Sequence, residues 1–262
     1  MSNILAIDSS GLTASVAVMS NGKLAAEYTV NNKKTHSQTL LPMISEIMKA
    51  LELEPKDLDC IAISCGPGSF TGLRIGSATA KGLGLALNKP VAEVSTLKGL
   101  AYNLYGNEGC VICPIMDARR QEVYTGAYEF VCEGNADDCV QNLGEGGSGI
   151  SGSGKGSNYR TYEMKTVLTE RAVPLTEMLS ELEKLGKKVI FNGDAVPVYK
   201  DIIAEKFGLE YSFAPETLLL QRAASVAALG EQMFLAGEAK DSDAHTPVYL
   251  RKSQAEREME TK

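Results

Sequence analysis

The stretch Gly66-Pro67-Gly68-Ser69-Phe70-Thr71-Gly72-Leu73-Arg74-Ile75-Gly76, running on to Gly84, constrains this chain more than any other. The apolar run Ile61-Ala62-Ile63 leads into it as a buried strand. Gly66-Pro67-Gly68 makes a turn, because glycine admits positive φ and proline fixes φ. A helix then starts near Ser69, and Gly72, Gly76, Ala80 and Gly84 recur along it every four residues. Each interior glycine costs a helix about 1 kcal/mol against alanine. Three of them on one face call for another backbone packed very close. In membranes such stripes associate helices, but Arg74, Lys81 and several hydroxyls do not suit a membrane span. The expected neighbour is therefore a soluble helix or a ligand. A Walker phosphate loop is excluded, because Leu73 follows Gly72 where Lys would have to stand. Gly-rich turns before helices do bind anions. A tight strand–helix turn built for close packing is the plainer reading.

The 262 residues fit one large or two medium domains, and 44% apolar residues suffice for a sizeable core. The net charge of −7 without a long basic run argues against binding nucleic acid alone, though not within a complex that binds it. The first strand, Ile4 to Ile7, begins without a targeting signal, and no apolar run reaches membrane length, which predicts a cytoplasmic protein with no membrane partner. Cysteines at 60, 65, 110, 113, 132 and 139 then read as reduced thiols. Cys110 and Cys113 match C-x-x-C, but a strand points them to opposite faces and no second pair exists, against a zinc or redox role.

In chain order, Ile4 to Ile7 ends in Asp8-Ser9-Ser10-Gly11, and Thr13 to Met19 is a second strand. Asn21-Gly22 then signals a type I′ hairpin into a third strand, Lys23 to Val30. A helix spans Ser37 to Glu52, starting late or bending at Pro42, with Leu40, Leu41, Ile44, Ile47, Met48 and Leu51 on one face. Val91 to Val94 is a short strand, and Ser95 or Thr96 caps the helix after it. Beyond Gly106 to Gly109 the pattern repeats. Cys110 to Met116 ends in Asp117, Glu122 to Phe130 returns, and Lys188 to Phe191 ends in Asn192-Gly193-Asp194. The first unit spans 58 residues (66 − 8) and the second 76 (193 − 117), the surplus lying in a Gly/Ser-rich insertion at about 133–158 with the composition of a flexible linker. Helices follow at Pro174 to Leu185, about Pro197 to Lys206, and one long helix from about Glu216 to Ala236.

This duplication predicts an α/β fold of the actin-like, Hsp70-like and sugar-kinase-like (ASKHA) kind with two mixed-sheet subdomains. Residues 1–105 form the first, joined by the C-terminal helix at about 216–237; 106–215 form the second; 238–262 are a tail with a frayed end. Several stretches then make the likeness specific: Ile7-Asp8-Ser9-Ser10, His36-Ser37, Gly66 to Gly76, Val94-Ser95-Thr96-Leu97, Met116 to Tyr124 and Pro247-Val248-Tyr249-Leu250-Arg251. Spread from end to end, they resemble the bacterial TsaB (YeaZ) family, with Ser9 where that family commonly has Thr.

The resemblance implies a non-catalytic scaffold in tRNA modification. It would join a TsaD-like catalytic paralogue and a TsaE-like ATPase that place threonylcarbamoyl on the adenosine beside the anticodon of ANN-decoding tRNAs. Contact with tRNA would come only through that complex, and a homodimer would form when the partner is absent. The superfamily binds nucleotide between its halves, which makes Asp8, Ser9, Ser10, Asp117, Gly193 and Asp194 nucleotide-binding candidates. Asp8 and Asp117 suit Mg²⁺ as hard oxygen ligands, or serve only to stabilise their turns. The chain itself would need no cofactor, with ATP or ADP and Mg²⁺ allowed in the complex. Its two histidines, His36 and His245, cannot make the H-x-x-x-H metal pair of the catalytic paralogues. No catalytic or metal-binding residue is therefore assigned. Paralogues of this kind meet through helices of their first halves. The expected interface is His36, Leu40, Leu41, Ile44, Ile47 and Met48 with Gly72, Arg74, Ile75, Gly76 and Ala80; core packing is the alternative for each. Two enzymatic readings remain as alternatives: a small-molecule kinase or ATPase of the same architecture, and a metallopeptidase.

Overall fold

β1 (Asn3–Asp8), β2 (Ala14–Ser20) and β3 (Lys23–Val30) form an antiparallel meander. Asn21 and Gly22 turn it with φ of 50° and 73°, the left-handed pair a type I′ turn requires. β4 (Cys60–Gly66) and β5 (Val91–Ser95) add in parallel, giving the order β3-β2-β1-β4-β5. This computed structural model describes residues 2–32, 35–132 and 160–251. The Gly/Ser-rich insertion and the last residues of the tail lie outside the described residues.

The second sheet holds β6 (Cys110–Asp117), β7 (Glu122–Cys132), β8 (Tyr162–Pro174), β9 (Lys188–Asn192) and β10 (Tyr211–Phe213) in the order β10-β9-β6-β7-β8. With β6 in the place of β1, this is the first sheet repeated. β6 pairs antiparallel with β7 and parallel with β9, as β1 does with β2 and β4. The molecule thus has the duplicated ASKHA architecture, and an aspartate ends the central strand of each half.

Both faces of β1 are covered, so it reads as an unbroken apolar run. α1 (His36–Ala50) and α2 (Phe70–Leu87) bury Leu40, Ile44, Ile47, Met48 and Ala80 against Leu5, Ile7, Val16 and Ile63 on one face. The helix Ala223–Leu235 buries Ala223, Val226 and Ala227 against Ile4, Ala6, Ala62 and Val94 on the other. α3 (Thr96–Tyr102) starts at Ser95, whose Oγ accepts from the Lys98 amide. It buries Leu97, Leu100 and Ala101 in the core of the second half, with α4 (Leu175–Leu185) and α5 (Val196–Lys206).

Several elements depart from the sequence reading. α1 begins at His36 and runs through Pro42, which lies on its exposed face. The long helix expected over 216–236 is two, α6 (Glu216–Leu219) and α7 (Ala223–Leu235). The break is held from afar. Ser15 Oγ accepts from the Ala223 amide, Glu27 Oε1 accepts from the Ala224 amide, and Arg222 pairs with Glu27. β8 and β10 were not foreseen. β8 is an edge strand that mixes polar and apolar residues and buries only Val173, and β10 is three residues long, so neither carries a strong apolar signal.

The first part of the α2 glycine stripe, Gly72 and Gly76, packs on the β1–β2 turn of its own chain, while Gly84 meets Ser242 of the C-terminal segment. A Cβ on Gly72 would stand 2.1 Å from the Ser9 carbonyl oxygen, and one on Gly76 2.4 Å from Ser9 Oγ. Ala80 is fully buried. Of the residues expected at a partner interface, Gly72, Gly76, Ala80, Leu40, Ile44, Ile47 and Met48 are therefore internal packing. Leu41 (57% exposed) and Arg74 remain exposed, and His36 and Ile75 are half-buried. Gly72→Ala should lower stability by about 3 kcal/mol, the upper end for overpacking, because the atom it meets is backbone. Gly82 lies on the same helix with nothing within 4 Å of its missing Cβ. There alanine should raise stability by about 0.5–1 kcal/mol. Urea unfolding of both variants measures the contrast, and a Gly72→Ala protein as stable as the parent would show that turn and helix move apart easily.

Candidate functional site

The two halves enclose a cleft of about 940 Å³. Ser10, Gly68 and Ser69 line it from the first half, and Asp117, Arg119 and Asp194 from the second. Of the nucleotide-binding candidates, Ser10, Asp117 and Asp194 thus meet at the cleft. Asp8, Ser9 and Gly193 do not line it.

Asp8 is 2% exposed, and its Oδ1 accepts from the Ser10 amide (2.9 Å) and hydroxyl (2.7 Å). Burial pushes its carboxyl above the ordinary range, against the pull of those two bonds. Asp8 therefore closes its own turn. Ser9 donates its hydroxyl to the Gly72 carbonyl at 2.9 Å. The Ser10 carbonyl accepts from the Ser69 amide at 2.7 Å, and Ser69 Oγ caps α2 by accepting from the Gly72 amide at 3.3 Å. Two of the amides at the start of α2, those of Ser69 and Gly72, are thus bound within the chain.

In the second half, Gly193 (φ 103°) has no room for a side chain, since a Cβ would stand 2.2 Å from the Ile115 carbonyl oxygen. Its amide donates to the Leu219 carbonyl at 2.8 Å, so it is a packing residue between β6 and α6. Asp117 Oδ1 accepts from the Arg119 amide at 2.8 Å, and its Oδ2 lies 3.3 Å from the Arg119 guanidinium. The Asp117 amide in turn donates to Asp194 Oδ1 at 3.2 Å. Burial, with the charge of Asp117 beside it, raises the Asp194 carboxyl to about 6. Among the described residues, no group of three or more His, Cys, Asp or Glu is placed to hold a metal ion.

Sequence reasoning missed three features around this cleft. Arg119, Arg120 and Gln121 turn from β6 to β7 with φ of 66°, 58° and 62°, and no glycine or asparagine marks that left-handed run. Tyr249 and Arg251 line the cleft from the far end of the chain. Gln221, 2% exposed, packs where a Cβ on Gly11 would come within 2.6 Å of its amide, and both polar atoms of that amide lack a hydrogen-bond partner. His36 is tied to the same turn, its Nε2 donating to the Gly11 carbonyl at 2.9 Å.

The raised Asp194 carboxyl gives a pH test. The fold favours its neutral form, so its contribution to stability is complete below the unfolded value of 3.8 and is lost as pH rises through about 6. Asp194→Asn keeps an acceptor for the Asp117 amide without the charge. It should melt higher than the parent at pH 7.5, and the gap should close as pH falls below the titration. Equal melting curves at both ends would show that the carboxylate is well solvated in the fold.

A family model described as TsaD, tRNA N6-adenosine threonylcarbamoyltransferase, matches residues 23–259. The tRNA threonylcarbamoyladenosine biosynthesis protein TsaB of Bacillus subtilis is 31% identical over 253 residues, 97% of this chain and 96% of that protein. The TsaB of Escherichia coli is 36% identical over 127 residues, 48% of this chain and 54% of that protein. Among solved structures, a Pseudomonas aeruginosa protein described as similar to peptidase YEAZ superposes with a TM-score of 0.73 at 26% identity, covering 96% of this chain and 100% of that one. With that likeness extending over nearly the whole of both sequences, the chain belongs to the TsaB (YeaZ) family of tRNA threonylcarbamoyladenosine biosynthesis proteins.

Proposed function

We propose that this chain is a non-catalytic scaffold in the formation of threonylcarbamoyladenosine in ANN-decoding tRNAs. It acts in a complex with a TsaD-like catalytic paralogue and a TsaE-like ATPase, and reaches tRNA only through them. The observation that carries this reading is that groups beside the cleft are bound within the chain. The Ser69 and Gly72 amides are bound within the chain, and Asp8 closes its turn. A net charge of −7 fits a protein that leaves RNA contact to its partners. On this reading the chain requires no cofactor, and ATP or ADP with Mg²⁺ is handled by the complex.

On this reading the partner surface is drawn from what α1 and α2 leave exposed, including Leu41, Arg74 and the half-buried Ile75. The same face pairs two copies of this chain when the partner is absent. The deciding experiment reconstitutes tRNA modification with and without this chain. Product should need both the chain and the TsaD-like protein, and transfer by this chain alone would end the scaffold reading. Leu41→Asp should weaken binding to the TsaD-like protein about thirtyfold, the effect of about 2 kcal/mol at a central contact. It should leave the melting temperature of the free chain unchanged, because Leu41 is 57% exposed. Calorimetric titration reads both species, and undiminished binding would move the interface elsewhere.

A further inference from the structure

The segment after α7 takes no part in the function proposed above, yet its course is closely fitted. Lys240 and Val91 exchange backbone hydrogen bonds at 2.8 and 2.9 Å. His245, 3% exposed, lies between Glu93 Oε1 (2.7 Å) and Ser77 Oγ (2.9 Å). The Val248 amide donates to the Cys65 carbonyl at 2.8 Å. The Tyr249 ring lies 5.0 Å from Phe70, and Arg74 Nε donates to its hydroxyl at 3.4 Å. The first half is shaped to this path at two glycines. A Cβ on Gly66 would stand 2.2 Å from the Val248 carbonyl oxygen, and one on Gly84 2.6 Å from the Ser242 Cβ.

The segment then crosses the cleft. Arg251 Nη1 donates to the Ala118 carbonyl at 2.9 Å and pairs with Glu122 at 2.5 Å. Those residues flank the three left-handed residues 119–121 of the β6–β7 turn. Such a turn is costly and persists only where its surroundings fix it. A single guanidinium nitrogen of Arg251, Nη1, thus bonds on both sides of the turn, its contact with Glu122 charge-assisted.

We propose that residues 238–251 are a strap that ties the β6–β7 turn of the second half to the first half and sets how far the cleft opens. The strap makes the connection between halves that a bridging ligand makes in a hinged two-domain cleft. Its inner end is anchored by backbone bonds and by buried His245, so the grip of Arg251 is the part that can let go. The scaffold role is not needed for this inference.

The test places spin labels at Leu12→Cys and Val198→Cys in the full chain. These residues line the cleft from opposite halves and are 71% and 61% exposed. Cys132 and Cys139 are replaced by serine. Burial pushes the thiols of Cys60, Cys65 and Cys113 up to about 12 and raises that of buried Cys110, which keeps all four unlabelled. The parent should give one narrow distance distribution. Arg251→Ala should lengthen or broaden it by more than about 2 Å, the scale of a domain rearrangement, and Tyr249→Ala, which loosens the other bank, should do the same. Amide exchange at 118–122 should quicken in both variants while exchange in α4 stays as in the parent. Unchanged distances and exchange in both variants would overturn the proposal. So would a change in Arg251→Ala spread evenly over the whole chain, because that marks general destabilisation.

Discussion

The close approach of α2 to the β1–β2 turn is the contact on which the rest of this structure depends. Ser9 and Ser10 present their carbonyls to the helix start, where one packs on Gly72 and the other accepts from the Ser69 amide. No side chain fits between them, so the glycines offset their helix penalty by admitting backbone against backbone. Other elements gather on the same turn. His36 ties α1 to it, Asp8 closes it from within, and Gln221 packs beneath Gly11. Its position fixes where both helices lie on the sheet and how the near wall of the cleft is shaped.

That contact has a functional consequence. In a fold of two hinged halves, hairpin turns and helix starts are the natural holders of phosphate. Here the first half binds the Ser69 and Gly72 amides to itself, and Gly193 of the second half serves packing against β6 and α6. What remains at the cleft is Asp117 and Asp194 in contact, balanced by Arg119, with Arg251 reaching across from the C-terminal segment. The cleft is thus braced by the chain's own side chains.

Much of the fold was legible because its signals are local. The apolar runs at Ile4 to Ile7 and Cys110 to Met116, each ending in aspartate, gave the duplication. Asn21-Gly22 gave its hairpin, and the glycine stripe announced a close approach. The identity of the approaching group was not legible, because nothing near Gly72 in sequence says that Ser9 will lie on it. The break at Gln221 is of the same kind, since Ser15 and Glu27 cap α7 from about 200 positions away. The left-handed turn at 119–121 left no trace either, being held by Arg251, by backbone bonds between residues 118, 119 and 122, and by the Leu175 amide donating to the Gln121 carbonyl. For the site, residue type located the aspartates. Burial alone then decided that Asp8 belongs to a turn while Asp117 and Asp194 face the cleft.

The most direct measurement is a calorimetric titration of Mg·ATP into the purified chain without its partners. With the Ser69 and Gly72 amides and Asp8 committed inside the fold, no saturable binding tighter than about 1 mM is expected. Stoichiometric binding in the micromolar range, lost on Asp117→Asn, would contradict this directly and return the chain to the nucleotide-using members of its fold.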